Sequence, residues 1–586
     1  MSSLPSAEII LAIDVGSVNT RASLFDVIDG RYRLVATSEA QSTAGPPLMD
    51  LSEGVRLAMD HVQAITGRRL VDESDNLILP TTGFGAGVDL FVASLSAGPK
   101  VKTILAGLMP RVSMESVRRL AGSTYINVVG EISLADHRKI EEQVDLIVSQ
   151  QPDLILAVGG TDNGARNPIF QLLEILKLAL GLMPEGKRPQ VVFAGNRSLG
   201  ALVTDQLADR TQVSLMPNVR PSIEIEDLAP ARLQLAETLF DIRSERITGF
   251  QELRQWTGGI LLPTAEAFGR LVRYLSKIYD PDKGVLGVDL GSSQTTIAGA
   301  FEGEINLTVN SELGIGSSIL GLLQEGNLQD ILRWIAIDVG ESEVRDYIYT
   351  KAAHPSSLPA TANDLQIEMA IARQIIRLAL KKARKTWPKG KNARSRLTLP
   401  PVEPILAAGA TLARAPKPGQ TVLMLLDALQ PTGVTTLVLD PYSLGPALGS
   451  TAGPVPMATV QLLEAGVLVS LGTAVSPEGK GRIGRKVLSY SLDREDGSAV
   501  LSGDVVYGEL VRLPLGSAQI GRLTLQPERG FDVGYGSQGR SATLRVSGGL
   551  VGLIIDARGR PIVLPRDREQ QKEINQKWQW EIESEK

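Results

Sequence analysis

The strongest constraint on this chain is a short pattern that occurs twice. Ile13-Asp14-Val15-Gly16-Ser17-Val18-Asn19-Thr20 is matched by Val288-Asp289-Leu290-Gly291-Ser292-Ser293-Gln294-Thr295. Both copies read apolar, Asp, apolar, Gly, Ser, any residue, polar, Thr. Each follows an apolar run and precedes a β-rich run that contains small residues, Ala22-Ser23 and Ala298-Gly299. This is the pattern of strand, tight turn, strand. A lone copy reads as an ordinary hairpin, because Asp, Gly and Ser favour turns. Two copies matching at four positions point to a duplicated unit with a shared chemistry.

That chemistry follows from the residue types. Glycine lets backbone approach a phosphate with no Cβ in the way. Turn amides and the hydroxyls of Ser17, Thr20, Ser292 and Thr295 can donate to phosphate oxygens. A carboxylate at a strand end, Asp14 or Asp289, suits hydrated Mg²⁺. Two such hairpins face to face would hold a triphosphate by position and charge, which is most of what phosphoryl transfer requires. A partial third copy, Ile335-Ala336-Ile337-Asp338-Val339-Gly340, is read as a chance match, because Glu341 and Glu343 follow it and the matching Thr is missing.

The rest of the chain divides by its patterning. Residues 1–75 carry the first hairpin and a helical stretch, Ser52–Thr66. Residues 76–260 alternate strand-like runs (Lys102–Leu108, Thr124–Val129, Leu154–Val158, Gln190–Ala194) with helical ones, which predicts an inserted α/β domain with a parallel sheet. Within it, Gly159-Gly160-Thr161-Asp162-Asn163-Gly164 reads equally as an anion- or partner-binding loop and as a tight strand-to-helix connection. Residues 261–465 resume the first theme and include an amphipathic helix over 363–385, with Asn363 or Asp364 as its N-cap. Its basic end, Lys381–Lys385, complements the helix dipole. There Pro404–Thr411 runs from apolar into small residues, and Gly409 would let a purine lie against backbone. Residues 466–586 show short β-rich runs between Gly, Pro and Asp-Gly turns, which predicts a small C-terminal β domain with a charged tail.

Composition excludes several functions. Without cysteine there is no disulfide, thiolate metal site or cysteine nucleophile, and the three histidines share no ligand spacing. A net charge of -5 gives no overall case for nucleic acid. The apolar runs are too short for a signal peptide or a membrane span, so the expected location is the cytoplasm.

The paired Asp-x-Gly hairpins and the later Gly409 turn resemble the two phosphate motifs and the adenosine motif of the actin/Hsp70/sugar-kinase ATPases. The order and content of Ala12–Thr20, Ala157–Asp162, Asp289–Thr295, Ser311–Gly314 and Leu406–Leu412 resemble more narrowly the MutL family linked to glutamate mutase, which is unrelated to mismatch-repair MutL. The resemblance spans roughly residues 8 to 450. It implies duplicated actin-like (ribonuclease H-like) domains and an ATP-binding, slowly hydrolysing, Mg²⁺-dependent accessory protein. The protein would act as a chaperone or reactivating factor on a partner such as an adenosylcobalamin-dependent mutase. It implies phosphate contacts from Gly16, Ser17, Thr20, Gly291, Ser292 and Thr295, metal contact from Asp14 and Asp289, and adenosine contact from Gly409. The chain departs from the family's frequent paired glycine, having Gly409-Ala410. No Asp-x-His-x-x-Gly is present, so the resemblance implies action on a cobalamin enzyme and not carriage of cobalamin. Two other readings fit the same scaffold: a nucleotide-dependent scaffold or filament protein, and a small-molecule kinase. The kinase needs a general base in the cleft, and the sequence singles none out.

Overall fold

The computed structural model describes residues 7–584 except 84, 165, 388–398, 496, 498 and 499. The chain opens with the meander β1 (Ile10–Val15), β2 (Asn19–Ile28) and β3 (Arg31–Gln41), then the helix Leu51–Thr66 and β4 (Leu90–Leu95). It leaves for β5 (Val101–Gly107), β6 (Ile126–Ser133), β7 (Leu154–Ala157), β8 (Gln190–Phe193) and β9 (Val213–Leu215). It then returns with β10 (Leu261–Pro263). The second half repeats the plan with the meander β11 (Gly284–Leu290), β12 (Thr295–Phe301) and β13 (Glu304–Asn310), then β14 (Val402–Ala408) and β15 (Gly433–Leu439).

The two sheets run in the orders β10-β4-β1-β2-β3 and β13-β12-β11-β14-β15. In both, the first strand pairs antiparallel with the second and parallel with the fourth. The second pairs antiparallel with the third, and the fourth parallel with the fifth. One strand order with one set of directions, used twice, is the duplicated actin-like fold that the hairpin repeat predicts. The partial third copy has no strand: Asp338 lies before the helix Glu341–Ala353 with its side chain exposed.

Two helices lie between the halves. Thr264–Ile278 buries Ala265, Phe268, Leu271 and Val272, and Gly445–Thr451 crosses it. They share one apolar cluster with Ile10, Ala12 and Phe25 of the first sheet and Val285, Ala298 and Ala408 of the second. The crossing is so close that a Cβ on Gly449 would stand 1.7 Å from the Ala267 carbonyl oxygen. The long helix of the second half spans Ala362–Ala383. Its N-cap is Thr361, not Asn363 or Asp364: the Thr361 Oγ1 accepts from the Asp364 amide at 3.1 Å, and Asp364 returns the bond, a capping box. Lys385 falls just beyond the helix.

The structure draws other boundaries differently from the sequence pattern. Leu90–Leu95 and Leu261–Pro263 belong to the first sheet, so the parallel insertion is carried by β5–β9, with the unexpected short β9 at its edge. Nor do residues after 465 form a wholly separate β domain. The strands there are β16 (Val469–Ser476), β17 (Glu478–Gly479), β18 (Lys486–Arg494), β19 (Leu501–Val506), β20 (Leu510–Leu513), β21 (Ile520–Pro527), β22 (Phe531–Asp532), β23 (Ala542–Ser547) and β24 (Gly552–Asp556). β16, β24 and β20 extend the second sheet to eight strands, while β19-β18-β21-β23 forms a separate four-stranded sheet and β17-β22 a two-stranded one. The tail is a helix, Arg568–Glu583, whose Trp578 and Ile582 are buried.

A buried ion network joins this extension to the second half. Arg558 grips both oxygens of Asp556 at 2.8 Å and reaches Asp427 at 2.7 Å. Arg373 meets the other oxygen of Asp427 at 2.7 Å, and Arg560 bonds Asp556 at 2.8 Å. Burial raises the Asp556 pKa, but Arg558 and Arg560 outweigh it and hold the carboxyl well below its usual range. Removing one member of such a network leaves buried charge uncompensated. Arg558→Met is therefore expected to lower unfolding free energy by about 3–5 kcal/mol in urea titration; a loss within error of zero would contradict this role.

Candidate functional site

The two hairpin turns are built alike. The Gly16 amide donates to the Asn19 carbonyl at 2.9 Å, and the Gly291 amide to that of Gln294 at 3.0 Å. A Cβ on Gly16 would sit 2.9 Å from the Asn19 oxygen, and one on Gly291 2.9 Å from the Gln294 oxygen. The glycines are thus already required by the turn itself. Ser17 and Ser292 are part-exposed at the tips. The second tip is more heavily tied down: the Ser292 Oγ accepts from the Ser317 amide at 3.2 Å, and its carbonyl from that of Gly316 at 2.9 Å.

Register decides which side chains meet the cleft. Asp14 pairs with Arg21 and Val15 with Thr20; Asp289 pairs with Thr296 and Leu290 with Thr295. Residues paired across a ladder share a face, and neighbours along a strand alternate. Thr20 and Thr295 therefore lie on the opposite face from the aspartates. Both are fully buried; the Thr295 hydroxyl donates to the Leu313 carbonyl at 2.8 Å, and the Thr20 hydroxyl sits against the helix that starts at Leu51. The expected phosphate contacts from the Thr20 and Thr295 side chains are corrected accordingly: Thr295 ties the second hairpin to its own half, and the Thr20 hydroxyl is buried without a hydrogen-bond partner among the described residues. The residues beside the aspartates are Arg21 and Thr296.

Asp14 is buried. Its Oδ1 accepts from Ser94 Oγ and Thr264 Oγ1, each at 2.7 Å, and Arg21 Nη1 stands 4.0 Å from Oδ2. Burial raises the Asp14 pKa against the pull of Arg21 and the two hydroxyls. Asp289 is partly open and accepts no hydrogen bond among the described residues. Burial, then the charge of Asp14, push its carboxyl up to about 7; Arg21 opposes them and Asp440 adds to them.

Asp440 is the acidic residue that sequence reading missed. It ends the apolar run Leu437-Val438-Leu439, as Asp14 ends Leu11-Ala12-Ile13, and that likeness was the available signal. Its oxygens accept from the amides of Leu444 at 2.8 Å and Gly445 at 2.7 Å, so it caps the second crossing helix. Across the mouth, Glu39 of the first half bonds Arg21 at 2.7 Å and also Arg414 of the second half. Burial raises the Glu39 pKa, but the two arginines outweigh it and lower it overall.

Gly409 adopts a φ of 96°. A Cβ there would stand 2.2 Å from the Leu290 carbonyl oxygen, so only glycine lets this turn pack against the second hairpin's backbone. The glycine is needed for that contact, and the turn it makes starts the helix Ala410–Ala413.

As a metal site, the arrangement supplies Asp289 and the Oδ2 of Asp14, which accepts no hydrogen bond among the described residues and faces Arg21 at 4.0 Å. No group of three His, Cys, Asp or Glu among the described residues is placed to cage an ion. This donor set fits a hard cation that keeps most of its water, as Mg²⁺ does.

The comparisons with known proteins bear on this geometry. The sequence model described as "MutL protein" matches residues 10–467. The chain belongs to the MutL protein family. The match covers both hairpins, the insertion and the Gly409 turn, and ends just before β16. No curated protein matches the MutL-family chain. Among solved structures it is similar to nucleotide-free acetone carboxylase (10% identity over 86% of this chain and 81% of that one, TM-score 0.33). It is also similar to diol dehydratase-reactivating factor in nucleotide-free form (11%, 78% and 100%, 0.30). A third is xylulose kinase from Bifidobacterium adolescentis (12%, 80% and 96%, 0.28). These scores are too low to establish a shared fold, which rests on the strand order above. No helix among the described residues is long and apolar enough to cross a membrane.

The raised Asp289 carboxyl has a measurable consequence. Between the ordinary value of 3.8 and about 7, the folded state holds its proton and the unfolded state does not. That contribution to stability is full at low pH and is lost as pH rises through about 7. Asp289→Asn should therefore melt like wild type near pH 4 and exceed it at pH 8, without metal, by up to about 4 kcal/mol. Parallel melting curves at both pH values would contradict the assignment.

Proposed function

We propose that this MutL-family protein binds Mg²⁺-ATP between its two halves. In this reading it acts as a slow ATPase that remodels a partner protein such as an adenosylcobalamin-dependent mutase. The observation that carries the reading is the pair of turns built on one register, whose aspartates lie close enough that the charge of Asp14 raises the affinity of Asp289 for protons. Repulsion of that kind is relieved by a cation, and the part-exposed tips offer backbone amides to an anion. Asp14 and Asp289 would hold the metal through water; Gly16, Ser17, Gly291 and Ser292 would contact phosphate. The nucleoside would lie toward the Gly409–Thr411 turn, contacting backbone beside Gly409. Bound Mg²⁺ would neutralise phosphate charge.

Conformational work follows from the same geometry. The Glu39–Arg414 pair spans the halves, and Arg21 joins it to Asp14. A nucleotide that draws the tips together would reset this chain of charges, and hydrolysis would release it. Family membership supports the accessory role, and a cytoplasmic location is part of the same proposal.

The test is reactivation. An adenosylcobalamin-dependent mutase inactivated by damaged cobalamin is incubated with this protein, fresh adenosylcobalamin and Mg²⁺-ATP. The expected result is recovery of mutase activity only when all are present, with ATP turnover rising when the mutase is added. Fast turnover with a small hydroxyl acceptor and no mutase effect would favour a kinase instead. Nucleotide-dependent sedimentation without hydrolysis would favour a scaffold.

A further inference from the structure

The insertion has a site of its own. Its five strands are all parallel in the order β6-β5-β7-β8-β9. From β5 the chain goes outward to β6, then returns to β7 on the other side. The helix after β5, Ser113–Ala121, packs in the cluster on one face with Leu105; the helix after β7, Asn167–Leu182, packs on the other with Ile104 and Ala106. The loops following β5 and β7 therefore part to opposite faces. In open parallel sheets, ligands bind in the crevice that opens at this switch point, beyond the carboxyl ends of the strands.

The loops there carry unused donors. Gly159 and Gly160 take φ values of 147° and 75°, and a Cβ on Gly159 would stand 2.5 Å from Leu108 Cγ. The amides of Gly159, Gly160 and Thr161 have no acceptor among the described residues. Gly159 is buried, where unpaired amides are rare, and Gly160 and Thr161 are half-buried, open to a ligand. The independent observation is Asn196, after β8, whose side chain is fully buried. Its amide donates to the Gly159 carbonyl at 3.0 Å, which sets the residue beside the turn. Its Oδ1 accepts from the Ser198 amide at 3.0 Å and hydroxyl at 2.8 Å, yet its Nδ2 has no partner. Because the Ser198 amide requires an acceptor, this orientation of the carboxamide is determined.

The one carboxylate in the turn is already spent. Asp162 Oδ1 accepts from Asn218 Nδ2 at 2.9 Å and from the Arg197 amide at 3.1 Å, tying together the loops after β7, β8 and β9. Three exposed arginines, Arg111, Arg166 and Arg197, stand on the loops after β5, β7 and β8, and the Arg197 guanidinium lies 3.9 Å from Asp162 Oδ2, which offsets that carboxylate's charge. Free amides, an unpaired buried donor and basic side chains at one strand-end crevice favour an anion.

We infer that the insertion binds a phosphate-bearing ligand at this crevice, separate from the cleft between the halves. The phosphate takes the Gly160 and Thr161 amides, and Asn196 Nδ2 donates to a ligand acceptor. The experiment is hydrogen exchange of the full chain with inorganic phosphate, AMP or FMN as probes. At least one probe should slow exchange in residues 158–164 and 194–199, and AMP or FMN acting without phosphate would identify the larger ligand. Arg197→Glu, at an exposed position, and Asn196→Ala should each weaken that protection at least tenfold in probe concentration. Asp289→Ala should leave it unchanged. The inference is overturned if no probe protects these segments, if Arg197→Glu has no effect, or if protection disappears in Asp289→Ala.

Discussion

Two carboxylates brought toward each other from two halves of one chain set the terms for the rest of this structure. Asp14 and Asp289 stand at equivalent turns, and of the two only Asp14 has an ion-pair partner among the described residues, Arg21. Arg21 at 4.0 Å offsets part of the repulsion. The remainder appears as the raised Asp289 pKa. Such an arrangement costs stability, and proteins keep it where a ligand completes it. The fold meets the cost with the apolar cluster between the sheets, in which two helices cross at contact distance.

The added parts brace this centre and do not merely decorate it. The insertion touches the second half directly: the Val309 amide donates to the Gly122 carbonyl at 2.7 Å, and Ser311 Oγ to that of Ile126 at 2.8 Å. Between these contacts, the Tyr125 hydroxyl accepts from the Ala265 amide at 2.6 Å, at the start of the helix whose Thr264 bonds Asp14. A change at the aspartates thus has a short mechanical path into the insertion. At the far edge, the Arg558 network locks three further strands onto the second sheet.

The duplication was legible because a tight turn after an apolar strand demands particular residues, and the chain writes them twice. The insertion was legible because strand and helix alternate at short spacing. Thr20 and Thr295 were misread because spacing along a sequence does not reveal cross-strand register; one residue of shift moves a side chain from cleft to core. Gly409 was half legible: its need for freedom was right, but the neighbour that requires it is Leu290, far away in sequence. Asp440 was hidden because its role depends on β15 lying beside β14 in the sheet. The C-terminal strands looked like a separate domain because β pairing is non-local, and nothing in β16 or β24 states which sheet it will join.

The most direct test of the central claim is calorimetric titration of Mg²⁺-ATP into wild type, Asp14→Ala and Asp289→Ala. If both turns serve one metal-bound triphosphate, wild type binds and each variant loses about 1.5–3 kcal/mol, roughly 10- to 100-fold in affinity, while remaining folded. Unchanged binding in both variants, or no binding to wild type, would contradict the account.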